Sequence, residues 1–352
     1  MGAKTDRREL GTPTDVHQLD ESALLPYLKA HIPGFAGDCR IQQFLGGQSN
    51  HTYLIDDPSG SYVLRKKPPG KLLPSAHAVD REFRVMSALA GTKVPVPVTR
   101  VLCEDESVLG QVFYVMDYVP GRVLAEREMP GCTPGERTSM YESMAGVLGN
   151  LHAVNFEAVG LGDFGKPTGY VARQIARWSK QYEASKVEDC EPMDQVIDWL
   201  GQNDPNDDLA AIAHGDFRPG NVIFHGTEPA VAAVLDWELS TIGHPLADVG
   251  YFLMPYRLDA HAFPWGLDGL DLNGLGIPNE SAVVDAYAAA MGSDPISSID
   301  YYIVFSMFRL AAILSGVLRR GLDGNAADPR AVERGRTYAQ LATVALGIAR
   351  NS

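Results

Sequence analysis

The order of signals along the chain predicts an α+β protein of two parts, a small β-rich part followed by a large helical one. Three observations carry this. Short β-like runs separated by turn-forming residues fill the first third, helical spacings dominate after Pro120-Gly121, and no repeat or low-complexity block breaks that order. At 352 residues the chain is long enough for two buried cores. The boundaries read as an N-terminal arm and short helix over 1–37, a sheet-bearing part over 38–118 and a helical part over 119–352.

Residues Met1 to about Thr14 are polar and aperiodic, which predicts a frayed arm. Asp20–Ala30 reads as a short helix stopped by Pro33-Gly34. Cys39–Leu45, Thr52–Ile55 and Tyr62–Lys66 read as strands; Gly46-Gly47 and Asp57-Pro58-Ser59-Gly60 supply the turns between them. Ala78–Leu89 carries Val79, Phe83, Met86 and Leu89 at helical spacing. Val98–Cys103 and Gln111–Met116 complete a five-stranded antiparallel sheet with one main helix. Beyond the Pro-Gly hinge, Thr133–Ala153, Tyr170–Ser185, Met193–Leu200, Ser281–Met291, Ile299–Arg320 and Pro329–Arg350 read as helices. Two short β runs, Val222–His225 and Val231–Leu235, lie among them.

Composition narrows the function classes. A formal charge of -14 argues against nucleic acid or an anionic membrane as a partner, while leaving room for a local basic pocket. Cys39, Cys103, Cys132 and Cys190 lie far apart, and no apolar signal stretch opens the chain. Reduced thiols and a cytoplasmic location are therefore expected. Tyr301–Val317 is interrupted by Ser306, Arg309 and Ser315, too short and too polar for a membrane span, so it reads as a core helix.

The strongest chemical signal is His214-Gly215-Asp216-Phe217-Arg218-Pro219-Gly220-Asn221, followed by Leu235-Asp236-Trp237-Glu238. An Asp five residues before an Asn, on a loop ahead of a strand, suits phosphoryl transfer. The Asp contacts an acceptor hydroxyl and the Asn oxygen reaches Mg²⁺. A second Asp after the next strand offers the hard carboxylate oxygen that Mg²⁺ prefers. A lone Asp near Gly and Pro is usually a turn or cap residue. The ordered set of three around β runs is what makes the functional reading the stronger one.

Over roughly residues 38 to 350 the sequence resembles the aminoglycoside phosphotransferase family, which shares the protein-kinase fold. The H-G-D-x-x-x-x-N pattern matches His214–Asn221, the family's metal-binding Asp matches Asp236, and Gly243–Gly250 is similar to the segment that follows. Gly46–Asn50, Leu64–Gly70 and Asp236–Leu239 look most like the kinase-like region fused to some acyl-CoA dehydrogenases. The resemblance implies a protein-kinase-like two-lobe fold, Mg²⁺ or Mn²⁺, ATP or GTP as co-substrate, and a small hydroxylated acceptor. Asp216 becomes the catalytic residue, Asn221 and Asp236 the metal residues, and His214 and Asp248 structural supports.

The same resemblance assigns the nucleotide side. Gly46, Gly47, Gln48, Ser49 and Asn50 form a loop whose backbone amides approach phosphates, although it departs from the kinase G-x-G-x-x-G pattern. Strand alternation separates Val63 and Arg65 from Leu64 and Lys66, and family spacing puts Arg65 where Lys is usual. Which of Arg65 and Lys66 meets the phosphates stays open at this point. Glu82 is the implied partner on the helix, and Met116 to Gly121, with Met116 and Tyr118, is the linker offering backbone groups to the base. His152 and His244 lack metal-ligand spacing.

Three rivals stand beside a small-molecule kinase. A pseudokinase would lack one of Asp216, Asn221 and Asp236, and all three are present. A protein kinase would carry H-R-D, D-F-G and A-P-E, which are absent. An aminoglycoside phosphotransferase needs several carboxylates around its polycation, yet Glu333–Ser352 holds one side-chain carboxylate, Glu333, beside Arg334, Arg336 and Arg350. Arg173, Arg177, Trp178, Lys180, Tyr256, Arg257, Arg309 and Arg319 suit an acidic or acyl-bearing acceptor instead.

Overall fold

A computed structural model describes residues 10–11, 18–45, 50–68, 78–294, 296, 299–326 and 328–352. The elements in chain order begin with β1 (Leu10–Gly11), α1 (Glu21–His31), β2 (Arg40–Phe44), β3 (His51–Asp57) and β4 (Gly60–Lys66). Then come α2 (Val79–Leu89), β5 (Thr99–Cys103), α3 (Glu106–Leu109), β6 (Phe113–Asp117), α4 (Pro134–His152), α5 (Tyr170–Ser185) and α6 (Glu191–Gln202). Next are β7 (Ala211–Ala213), β8 (Val222–Phe224), β9 (Val231–Val234), β10 (Thr241–Gly243) and α7 (Pro245–Leu253). The chain closes with α8 (Leu272–Leu275), α9 (Glu280–Met291), α10 (Ile299–Leu322) and α11 (Ala331–Ala349). It divides into two compact units, 1–125 with 219–240, and 126–218 with 241–352.

The first unit is built on an antiparallel sheet of order β1-β2-β3-β4-β6-β5. The sixth strand was not expected: Leu10 and Gly11, within the arm read as frayed, pair with Phe44 and Gln43. Alternation fixes the faces. Tyr53, Ile55, Leu64, Phe113 and Val115 form one core with Leu24 and Leu28 of α1. Lys66 lies on that side, its Nζ donating to the Leu109 carbonyl at the end of α3. Arg65 and Tyr114 point the other way, where both bond Glu82 of α2.

Residues Pro219–Ser240 join this unit as well, a departure from a single boundary near the Pro-Gly hinge. Arg122 and Phe224 exchange backbone hydrogen bonds, and a Cβ on Gly121 would lie 2.3 Å from the Phe224 carbonyl oxygen. Only glycine allows the linker so close to β8.

The second unit is helical, with β7 and β10 as a short antiparallel pair. A capping box of Thr133 and Glu136 starts α4. The central helix α10 runs for 24 residues, longer than the stretch read from sequence. By length and composition it could cross a membrane, but its side chains pack among α5, α6, α7 and α11. A Cβ on Gly250 would meet the Tyr302 carbonyl at 2.4 Å, so α7 and α10 touch through backbone. The four cysteines are free thiols, three of them buried.

Candidate functional site

The candidate residues form two groups, one in each unit. In the first unit, Arg65 of β4 sits between two carboxylates. Its Nη1 lies 3.1 Å from Glu82 Oε2 and its Nη2 3.3 Å from Asp236 Oδ1. Glu82 has no solvent exposure and also accepts from Asn50 Nδ2 at 3.0 Å and Tyr114 Oη at 3.1 Å. Burial pushes the Glu82 carboxyl up to about 7; Arg65 opposes that shift, while Asp236 and Glu238 reinforce it. Burial acts to lower the Arg65 pKa, but the neighbouring carboxylates outweigh it and the guanidinium stays charged. Two buried polar atoms in this group have no partner among the described residues: Arg65 Nε, a donor, and Asn50 Oδ1, an acceptor. An orphaned buried donor on a cation fits an anionic oxygen such as that of a phosphate.

Asn221 closes a single 3₁₀ turn after the H-G-D segment, and its backbone carbonyl accepts from Leu235 N–H at 2.8 Å. That bond continues the β8–β9 pairing and sets Asn221 beside the strand end that carries Asp236. Asp236 adopts φ 65°, ψ 57°, the left-handed region that Asp and Asn tolerate better than other side chains. Trp237 behind it is fully buried, with its indole N–H donating to the Val234 carbonyl. Among the described residues no three His, Cys, Asp or Glu side chains gather into a metal-binding group. An amide oxygen and one carboxylate still match Mg²⁺, which takes most of its ligands from phosphates and water.

The linker differs from expectation in one respect. The Tyr118 N–H donates to Ser61 O and the Asp117 N–H to Val98 O, so neither amide is left for a base. Met116 is a buried β6 residue. Gly46, Gly47, Gln48 and Ser49 lie outside the described residues, as does Gly70.

In the second unit Asp216 follows β7. Its Oδ1 accepts from Tyr251 Oη at 2.7 Å and its Oδ2 from Arg218 Nε at 3.2 Å. Asp248 lies in the first turn of α7, and it organises the H-G-D backbone. Its carboxylate accepts the His214 N–H at 2.6 Å, the Gly215 N–H at 2.9 Å and His152 Nε2 at 3.4 Å. Burial pushes its pKa up, yet these donors hold the carboxyl below the usual range. His214 is fully buried and its Nδ1 accepts the Asp216 N–H, which fixes the turn. His152 Nδ1 bonds Tyr287 Oη at 2.8 Å. His244 caps α7 through Nδ1 and Leu246 N–H.

Tyr251 escaped the sequence reading, and Arg309, named from sequence among the acceptor cations, turns to the H-G-D backbone. Tyr251 is three positions beyond Asp248, one helical turn away, and nothing else marks it. Arg309 donates to the Gly215 carbonyl and lies over the Tyr251 ring, 5.8 Å from its centroid. The cations named for an acceptor are mostly committed elsewhere. Arg173 bonds the Lys166 and Thr168 carbonyls, Arg257 pairs with Glu280 and Asp300, and Arg319 bonds the Lys186 carbonyl.

Residues 40–272 match the profile of the phosphotransferase enzyme family, two thirds of the chain. The chain belongs to that family. It is 42% identical over 330 residues to mouse acyl-CoA dehydrogenase family member 10, covering 93% of the chain and 31% of that protein. Human acyl-CoA dehydrogenase family member 11 is 39% identical over 327 residues, 91% of the chain and 42% of the relative. The chain thus spans less than half the length of these curated relatives. A Ralstonia eutropha crystal structure, assigned as an aminoglycoside phosphotransferase, superposes with TM-score 0.88 at 44% identity, covering 95% of the chain and 99% of that one. Choline kinase from Cryptosporidium parvum shares the fold at 13% identity, with TM-score 0.61 and coverage of 94% and 96%. The architecture is therefore the protein-kinase-like α+β fold.

Proposed function

We propose that this phosphotransferase moves the terminal phosphate of ATP or GTP onto the hydroxyl of a small molecule. The observation that carries this reading is the buried Arg65, gripped by Glu82 and Asp236 with its Nε proton unpartnered among the described residues. A cation held that way binds phosphate oxygens without reorganising. Asn221 and Asp236 would hold Mg²⁺ or Mn²⁺ through oxygen, and the bound ion supplies neutralisation of phosphate charge. Asp216 aligns the acceptor hydroxyl. As the new P–O bond forms, the β–γ bridging bond breaks, the nucleoside diphosphate leaves, and the hydroxyl proton passes to the Asp216 carboxylate.

The acceptor we propose is a hydroxy acid or hydroxyacyl thioester. Support comes from the names of the relatives, acyl-CoA dehydrogenase family members. The final helix adds to it, with Glu333 its sole carboxylate. The internal bonding of Arg173, Arg257 and Arg319 removes part of the electrostatic support and leaves the exposed Arg177 and Lys180 of α5 to supply it. ADP formation measured with medium-chain hydroxy acids, their CoA esters and kanamycin decides it. Turnover of the acyl compounds supports the assignment; turnover of kanamycin alone overturns the acceptor and leaves the kinase chemistry intact.

A further inference from the structure

The H-G-D segment is braced from three sides within the second unit. Asp248 takes the N–H groups of His214 and Gly215, Arg309 donates to the Gly215 carbonyl, and the Tyr251 hydroxyl donates to the Asp216 carboxylate at 2.7 Å. The first two contacts fix backbone. The third reaches the side chain proposed to do chemistry, and it uses one carboxylate oxygen of the two. Gly250 brings α7 against the backbone of α10, which places the Tyr251 ring beside the Arg309 guanidinium. A phenol backed by a cation is held in place and is a stronger donor.

We infer that Tyr251 is a positioning residue: its hydroxyl pins Oδ1 of Asp216 so that the carboxylate presents one orientation to the acceptor hydroxyl, with Arg309 supporting the phenol from behind. This rests on the role proposed for Asp216. Burial and the adjacent Asp216 carboxylate raise the Tyr251 pKa, so the hydroxyl keeps its proton and donates across the neutral range. Polar neighbours of Asp216 in this unit include Arg218, whose Nε reaches Oδ2 at 3.2 Å, and His214, whose Nδ1 takes the Asp216 amide proton. Tyr251→Phe removes the phenol's bond to Oδ1 and keeps the ring beneath Arg309. The bonds of Asp216 to Arg218 and His214 are left in place.

The test is ADP release by the full chain from Mg-ATP with water as acceptor, at pH 7.5. Tyr251→Phe is expected to lower kcat about ten-fold or more, the worth of a bond to a charged group. The KM for ATP and the Tm should stay close to the parent values. Arg309→Lys, which loosens the support and leaves the phenol, should lower kcat by less, again at the parent KM and Tm. A kcat unchanged in Tyr251→Phe overturns the inference, as does a loss of turnover that merely tracks a lower Tm and higher KM. If Asp216→Asn also turns over at the parent rate, the role of Asp216 falls and this inference with it.

Discussion

Arg65 and Glu82 form an ion pair of 3.1 Å in which the carboxylate has no solvent exposure. Such a pair is costly to break from one side, because the survivor is left charged and dry. Arg65→Ala is expected to lower unfolding stability by about 3 kcal/mol or more. It should also abolish the rise in Tm that Mg-ATP gives the parent. Urea unfolding with and without nucleotide measures both, and a variant as stable as the parent that still responds to Mg-ATP contradicts this role.

The same pair predicts a pH dependence. The folded-state pKa of Glu82 lies near 7, above its ordinary 4.5, so between those values the folded chain holds more protons than the unfolded one. Stability from this group therefore falls as pH rises through that window. Glu82→Gln, which cannot titrate, should flatten the decline between pH 5 and pH 7.5 in urea midpoints. An equal slope in both proteins removes Glu82 as its source.

Asp248 carries the opposite sign. Its folded pKa is depressed below 3.8, so its contribution is full at neutral pH and is lost as pH falls below that value. Asp248→Ala strands two buried N–H groups and His152, at roughly 1–3 kcal/mol for each unpaired donor. We expect Tm and turnover to fall together. An Asp248→Ala protein with the parent Tm at pH 7 would show that the bonds to His214 and Gly215 carry little energy.

Asp236 allows backbone and ligand roles to be separated, since it sits at φ 65°. Asp236→Gly relieves the left-handed conformation, whereas Asp236→Ala adds roughly 1–2 kcal/mol of strain. Neither has a carboxylate. Both variants should lose the Mg²⁺-dependent thermal shift with ATP, while differing in Tm without ligand. A full shift in the glycine variant would take Asp236 out of metal binding.

Much of this was legible because chemistry and periodicity coincided. Alternation along Tyr62–Lys66 separates Arg65 from Lys66, and the structure turns Arg65 to Glu82 and Lys66 to the α3 side. Helix α4 begins at Pro134, within a residue of the start read at Thr133. Strand β1 was hidden because two residues carry no period, and its partner supplies the pairing. The left-handed Asp236 left no mark beyond a residue type that tolerates it. Tyr251, and the contact of Arg309 with the H-G-D backbone, stayed invisible for a topological reason: 93 and 35 residues separate Arg309 and Tyr251, respectively, from Asp216, and the packing of α7 against α10 brings the two together.

Transfer of γ-phosphate from Mg-ATP to the acceptor by Asp216→Asn tests the central claim most directly. The substitution keeps the shape of the side chain and removes its capacity to take a proton. The account predicts a fall in kcat of roughly two to four decades, with ATP affinity nearly unchanged. Full turnover by Asp216→Asn on the acceptor that the parent phosphorylates would contradict it.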